Sequence, residues 1–459
     1  MRRVALRRVV APRCRRHFGE RYRSASSVVA ASSLVRGEQE AEEAAEKVAS
    51  QLLEGLDGKP ASFALWFAKG YGGARAEPIG PLLRARLGGD SGAEGAAVVV
   101  GSASEGGIIG AGDEAQEERF ALSAMAVHAP SIRAHPFHSS TIGLLPELGR
   151  GGNWRALARG RTAPCVLAFC TLPLAAGGGD PQGWATLLDR ALARNDSEGA
   201  YAGGRLPAVV GGLPVGNHVF VDGESHAGGC FGLALDGGEE GVYLDAVVSQ
   251  GSVPFGPWLK ITGVGGNHVI TELDGQNPRE VLLPLINGPD VPGDGHTMAG
   301  VFVDPTPVTS LPGTEASRAS LALAAMGGRP NCLVRPMHHF TPEGHLVVSP
   351  LPEELPYAIG MQLQLHCHSS AHALNELRSR AEHDAAMHGG RPPDAAVVIA
   401  CGARGSSLHG EEGVESKALR SAWGRDVPTV GFFAGGELGP VGLKTYLHGY
   451  TTSCLVIRG

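Results

Sequence analysis

The chain has 459 residues, a formal net charge of −7, 43% hydrophobic residues and only 5% aromatic ones. That apolar content supports one large or two ordinary globular domains and excludes a disordered chain, while the few aromatics argue against a stacking platform for single-stranded nucleic acid. Eight cysteines (14, 165, 170, 230, 332, 367, 401, 454) are scattered without a paired CxxC or a disulfide framework, so buried reduced thiols are expected. No apolar run approaches the ~18 residues of a membrane span, which predicts a soluble mature protein.

Glycine accounts for 68 residues with no fixed period. Collagen and repeat arrays are thereby excluded, and many tight strand-to-helix turns are expected.

The first 36 residues stand apart. They hold ten Arg, from Arg2 to Arg36, a cluster of Ser and a single acid, Glu20. Val4, Leu6, Val9 and Val10 interleave with Arg2, Arg3, Arg7 and Arg8, as in a basic amphipathic helix, and no h-region suits secretion. The composition predicts a transit peptide to mitochondrion or chloroplast, the alternative being a disordered basic tail on a cytoplasmic protein. Without these residues the net charge of −7 becomes −16, which disfavours nucleic acid and anionic membranes as partners.

Along the chain, Glu38 to Leu56 predicts an Ala/Glu-rich helix with Ala44, Val48, Leu52 and Leu53 on one face. Strands are predicted at 61–68, 96–100, 119–128, 166–171, 208–210, 230–235 and 242–249, with helices at 78–87 and 184–193. A Pro/Gly-rich joint from Pro284 to Pro312 divides the chain. Beyond it, helices are predicted at 321–326, 370–386 and 412–421, and strands at 395–401, 427–434 and 451–457. The fold class is α/β with mixed sheets, as two tandem α/β domains packed together.

Two phosphate-loop readings fail on spacing. The loop from Gly101 to Gly110 is not GxGxxG, and Leu443 separates Gly442 from Lys444, which breaks GxxxxGK[ST]. His366, Cys367, His368 and His372, with His338 and His339 upstream, offer zinc-type donors but neither HExxH nor CxxC, so no metal and no cofactor are assigned.

Cys401, Arg404, Glu437 and His448 fall where apolar runs end in glycines, the place where α/β sheets hold ligands. Three readings stay open. As an enzyme, Cys401 is the nucleophile, His448 its base and Glu437 the orienting acid. As a binding site, Arg404 takes a ligand carboxylate and Glu437 an amine. As structure, Cys401 caps a core strand, and Arg404 with Glu437 forms a buried ion pair.

Ordered blocks along the chain resemble the FIST family. Ala97 to Gly110 is similar to the first glycine loop of the FIST N-terminal domain, and Gly211-Gly212 to its second. Ser249 to Gly256, Ile261-Thr262, Asn267 to Ile270 and Glu272 to Pro278 are similar to the QGxxPxG, VT and ELDGxP signature that closes that domain. Cys401 to Gly405, Val430 to Pro440 and Tyr446 to Thr451 resemble the C-terminal domain. The departure is Cys367-His368, where many members carry Arg-Asp.

Composition gives a leader over 1–36 and an N-terminal helix over 37–60, and the resemblance implies a FIST N-terminal domain over 61–284 and a FIST C-terminal domain over 285–459. The interval Gly37 to Pro60 is too short for an F-box of ~45 residues, so a stand-alone two-domain type is implied. It also implies a sensory or adaptor protein without established catalysis. Such a protein binds a small ligand, an amino acid or small carboxylate, and relays it to a signalling or adaptor protein. On this reading Arg404, Glu437 and the glycine loops at Gly106, Gly107, Gly405, Gly435, Gly436 and Gly439 contact the ligand, with Cys401 and His448 lining the pocket.

Overall fold

A computed structural model describes residues 28–88, 97–139, 165–171, 183, 185, 186, 188, 208–237, 242–293, 295–302, 332–352, 355–442 and 444–459. The predicted helix at 321–326, most of the one at 184–193 and the leader up to residue 27 lie outside the described residues.

Among the described residues, the strands form three six-stranded sheets and one closed barrel. The first sheet runs β1 (Val29–Arg36), β6 (Ala121–His128), β2 (Phe63–Lys69), β3 (Val98–Ala103), β10 (Val219–Val221) and β11 (Glu224–His226). The second runs β7 (Ile132–His138), β12 (Cys230–Gly237), β8 (Cys165–Cys170), β9 (Ala208–Gly212), β22 (Glu437–Val441) and β23 (Lys444–His448). The third runs β13 (Tyr243–Ser249), β24 (Thr452–Arg458), β20 (Ala395–Cys401), β21 (Thr429–Ala434), β4 (Ile108–Gly110) and β5 (Asp113–Ala115). The barrel is β14 (Ser252–Val264), β15 (Val269–Leu273), β18 (Leu346–Val348), β17 (Cys332–Phe340), β16 (His296–Phe302) and β19 (Gln362–His368).

The three sheets share one plan. Each has a central parallel pair, β2 with β3, β8 with β9 and β20 with β21, flanked by an antiparallel strand and then an edge strand. Each is completed by a hairpin from a different part of the chain: β10–β11 joins the first sheet, β22–β23 the second and β4–β5 the third. The chain is thus a threefold topological repeat, over 29–128, 132–237 and 243–458, with hairpins exchanged in a cycle and the barrel inserted after β13. Unequal spacing and that insertion explain why no period shows in the sequence. Gly101, Gly211 and Gly431 hold the same register in the three repeats, opposite Trp66, Ala168 and Val398, and a Cβ on any of them would overlap the facing carbonyl.

The inner faces of the sheets form a common core, where the rings of Phe67, Phe169 and Phe432 meet at centroid distances of 5.5, 4.7 and 5.8 Å. The parallel strands are buried on both faces, as their unbroken apolar runs require. On the outside, α1 (Ala41–Gly55) and α2 (Ile79–Leu87) cover the first sheet through Ala44, Val48, Leu52 and Leu83. After α3 (Pro278–Ile286), which leads away from the first strands of the barrel, α4 (Ser370–Met387), α5 (Ser406–His409) and α6 (Val414–Trp423) complete the third repeat. Two caps fit their sequences: Asn277 Oδ1 accepts from Arg279 N at 3.0 Å with Pro278 at the first helical position, and Ser369 Oγ accepts from His372 N at 3.4 Å.

One boundary shifts from the sequence reading. Val29–Arg36, placed in the leader by composition, pairs antiparallel with Ala121–His128 over its whole length and forms an edge of the first sheet. Residues 29–36 therefore belong to the fold, and nine of the ten Arg lie in the stretch before them.

Candidate functional site

Arg404 is completely buried, and its guanidinium is engaged on every side. Nε donates to Glu415 Oε1 at 2.6 Å, Nη1 to the carbonyls of Ser249 (3.1 Å) and Tyr450 (3.3 Å), and Nη2 to the carbonyl of Ala373 (3.2 Å). Its ion-pair partner is therefore Glu415 on α6. Burial alone would raise the Glu415 carboxyl, but Arg404, His409 and Thr452 together hold it down at about 2. This network ties the end of β13, the first turn of α4 and the turn before β24 to one another.

Glu437 lies opposite Gly212 in the second sheet, where the corresponding hairpin positions of the other repeats carry Ile108 and Val219. It is fully buried. Oε2 accepts from Thr451 N at 3.2 Å, and Oε1 has no hydrogen-bond partner among the described residues. Burial raises its carboxyl well above the ordinary range, and burial together with this carboxyl pushes the neighbouring Cys401 thiol up to about 12. His448, across the hairpin from Glu437, shares a hydrogen bond with the Gly439 carbonyl at 3.0 Å, and burial lowers it to about 3. At neutral pH the set is a protonated thiol and a neutral imidazole beside a carboxyl that burial pushes upward, which is not an activated nucleophile.

The expected glycine loops do converge, and they interlock. Phe433 N donates to Gly107 O (3.0 Å), Leu213 N to Gly436 O (2.9 Å), Gly435 N to Leu213 O (2.9 Å) and Glu105 N to Val215 O (2.6 Å). Gly107 has φ +96°, which a side chain would strain. Gly106 sits against the Phe433 carbonyl, and Gly405 leaves room for Gln116, whose Oε1 accepts from Ser406 N at 2.7 Å. The structure thus brings Gly106, Gly107, Gly405, Gly435, Gly436, Cys401 and Glu437 to one end of the common core as a closed frame.

The open space lies next to that frame. A cavity of about 520 Å³ separates the outer wall of the barrel from α4 and β13, within the range of small-molecule sites. The barrel presents Ser252, Pro254, Gln364 and His366; α4 presents Glu376, Arg380, His383 and Asp384; Trp258 and Met387 stand at its exposed side. Arg380 Nη2 reaches Glu376 Oε1 at 3.4 Å, and Glu376 Oε2 accepts from Gly251 N at 2.5 Å. Ser252 Oγ and His366 Nδ1 share a hydrogen bond of 3.0 Å. None of the ten expected contact residues lines this cavity, but Arg404 grips the Ser249–Gly251 corner directly behind it.

Neither cluster of metal-type donors makes a convincing cation site. Asp245, Asp384 and His388 offer ligand atoms within 4.8 Å of one another, but Arg458 hydrogen-bonds Asp384 through both Nη atoms and stands 3.8 Å from Asp245, so a guanidinium already supplies the positive charge. The histidines around Cys367 diverge. His366 faces the cavity, Cys367 the barrel interior, His368 bonds the Gly251 carbonyl at 2.7 Å and His372 shares a hydrogen bond with Ser369.

The cavity residues of α4 went unnoticed in the sequence, although 376, 380, 383 and 384 share one helical face and carry alternating charge. The Gln250, Ser252 and Pro254 run was noticed only as a family signature.

Comparison with known proteins follows the same division. A FIST N domain model matches residues 91–276, and a FIST C domain model matches 306–440. Uncharacterized protein Rv0628c of Mycobacterium tuberculosis is 28% identical over 256 residues, covering 53% of this chain and 59% of its own length. Uncharacterized protein Mb0898c of Mycobacterium bovis is 28% identical over 257 residues, covering 54% of this chain and 59% of its own length. The alignment therefore spans about three-fifths of the curated relatives it matches. With both domain models placed in order across well over half of its length, the chain belongs to the FIST family of sensory and signalling domains.

Proposed function

We propose that the protein is a small-ligand sensor whose site is the cavity between the barrel, α4 and β13. The observation that carries this reading is the meeting of two surfaces across one space: the family-signature run Gln250, Ser252 and Pro254 faces the charged stripe Glu376, Arg380 and Asp384 across about 520 Å³. Paired cationic and anionic side chains at a part-buried surface suit an amino acid or another small carboxylate, with Arg380 toward the carboxylate and Glu376 toward an amine. Arg404, Glu437, Cys401 and the glycine loops serve here as the frame that fixes the wall. Occupancy would be relayed to a signalling or adaptor protein.

A thermal-shift panel of amino acids and organic acids tests the reading, because a ligand of the native state raises Tm by mass action. A saturable shift is expected that Arg380→Ala abolishes while leaving the ligand-free Tm nearly unchanged. A flat panel, or a shift that survives Arg380→Ala, counts against the site. Organellar targeting by the Arg-rich leader belongs to the same proposal, and the location of a C-terminal fluorescent fusion with and without residues 1–27 checks it.

A further inference from the structure

Three arginines are buried among the described residues, Arg335, Arg404 and Arg458. Arg404 is matched by Glu415 and Arg458 by Asp384. Arg335 is 5% exposed, and no carboxylate of the described residues stands within ion-pair distance of it. Its hydrogen bond runs from Nη1 to the carbonyl of the preceding residue, Val334, at 3.3 Å. The ionisable groups around it are the phenols of Tyr357 and Tyr446, which carry no charge near neutral pH. Burial works against the charge of Arg335, yet a guanidinium is not deprotonated in that range. A buried charge without a counter-charge is costly, so the missing negative partner calls for an explanation.

Strand alternation places this side chain. Val334 lines the cavity outside the barrel, Leu333 belongs to the barrel core, and Arg335 follows Leu333 onto the inner face of β17. Its cross-strand neighbour is Ala299, whose methyl group fills little of the space around it. The β22–β23 hairpin packs against this part of the barrel: Val441 and Tyr446 join the barrel core, and β23 touches β17. Tyr446 and His448 share one face of β23, while Leu447 between them packs on the other side with residues of the second sheet. His448 is thus turned toward the barrel, near enough to Arg335 for their charges to oppose each other. The Gly439 carbonyl can only accept, so His448 Nε2 holds the ring proton and Nδ1 is left as an acceptor. That Nδ1 is buried and has no hydrogen-bond partner among the described residues.

A guanidinium without an anion and an imidazole acceptor without a donor therefore meet at one joint. The guest that satisfies both is negatively charged and carries a hydroxyl. We infer that the joint between the barrel and the β22–β23 hairpin binds a small hydroxyl-bearing oxyanion of the bicarbonate or hydrogen-phosphate type, its negative oxygens on Arg335 and its O–H donated to His448 Nδ1. The planar fork of an arginine suits paired oxygens of this kind. Tyr357 and Tyr446, 4% and 6% exposed, close the surroundings, so an ion of a few atoms fits better than an amino acid. This site is on the inner face of β17 and the proposed amino-acid cavity on the outer face, so the two readings stand or fall separately.

Two pairs of similarly shaped ions test the inference: bicarbonate against nitrate, both planar, and phosphate against sulfate, both tetrahedral. Only the first of each pair carries a hydroxyl near pH 7.5. Thermal shifts of the full chain in HEPES at fixed ionic strength are expected to show a saturable rise in Tm with bicarbonate or phosphate, its partner ion binding about tenfold more weakly or worse. Arg335→Met, which keeps most of the volume and removes the charge, should abolish the rise without lowering the ion-free Tm. His448→Leu should make the two ions of a pair equal. Ion chromatography of the anions released on denaturation, wild type against Arg335→Met, finds an ion retained through purification; bicarbonate or phosphate released by the wild type alone establishes the site even where added salt gives no further rise. Equal responses within each pair overturn the inference on the wild type alone. A response that survives Arg335→Met overturns it too, as does a flat response from protein that releases no such ion.

Discussion

Arg404 and Glu415 form an ion pair with both side chains wholly removed from water, Nε to Oε1 at 2.6 Å. Each charge has further partners, among them Thr452 Oγ1 on Glu415 Oε2 at 2.6 Å. A buried pair of this kind adds little over an apolar pair, but removing one partner strands the other charge. Arg404→Ala and Glu415→Ala are expected to destabilise the protein by about 3–5 kcal/mol each, and the double variant by less than their sum. Urea unfolding of the four proteins checks this. Purely additive losses would mean that the two side chains act independently.

The pH dependence has opposing parts. His448 and His368 are lowered from 6.5 to about 3 and about 4, in each case by burial first. A lowered histidine gives stability that is complete above 6.5 and is lost as pH falls toward the folded value. Glu415, lowered from 4.5 to about 2, loses its contribution only below 4.5. Glu437 is raised, so its effect runs the other way: its protonated form fits the fold, and stability is gained as pH falls toward 4.5. Glu437→Gln removes that opposing part. This variant should lose about 2 kcal/mol or more between pH 7.5 and pH 5 in urea titrations, and the wild type should lose less.

Glu437 also stands out among the repeats, because Ile108 and Val219 show that the same hairpin position is satisfied by an apolar residue. A buried carboxyl with an unpartnered oxygen costs about 1–3 kcal/mol. Glu437→Leu is therefore expected to raise stability at pH 7.5 by about 1–2 kcal/mol. A loss of similar size would show that the Thr451 N and Cys401 contacts outweigh the burial of the carboxyl.

The thiol reading of Cys401 gives a separate expectation. With its thiol held at about 12, far less thiolate is present at neutral pH than in an ordinary cysteine, by a factor on the order of 1000. Iodoacetamide at pH 7.5 should leave Cys401 unmodified in the native protein over times that fully label free glutathione, and should modify it promptly in urea, as read by peptide mass spectrometry. Rapid native labelling would revive the nucleophile.

How much of this was legible in the sequence depends on the range of the forces concerned. Ala395–Cys401 was placed to the residue, because a strand buried on both faces is an unbroken apolar run. The helix expected over 370–386 is observed over Ser370–Met387. The exchanged hairpins were not legible, since Ile109 pairs with Gly431 and Leu438 with Gly211 across hundreds of residues, and strands of three to five residues leave little alternation to read. Nor was the choice of Glu415 over Glu437 as the partner of Arg404: charge pairing has no signature in spacing, and the fold alone decides which carboxylate the guanidinium meets. The convergence of the glycine loops was anticipated, but the open space beside them was not, because its walls come from a barrel whose Gly/Pro-interrupted strands hide their period.

The exchange of hairpins bears on how the molecule unfolds. The hairpin of the first repeat completes the third sheet, and the hairpin of the third repeat completes the second, so the two FIST domains, separate in sequence, do not own separate sheets. The rings of Phe67, Phe169 and Phe432 bind all three repeats into one core. Loss of one sheet removes a strand partner from another, which favours one cooperative transition. Trp66 reports on the first sheet and Trp423 on the helix over the third. Proteins retaining only one of these tryptophans, with the other four replaced by phenylalanine, are expected to show coincident fluorescence and far-UV transitions in urea. A Trp423 midpoint well below the far-UV midpoint of the same protein would mean that the third sheet opens on its own and that the exchanged hairpins do not couple the repeats.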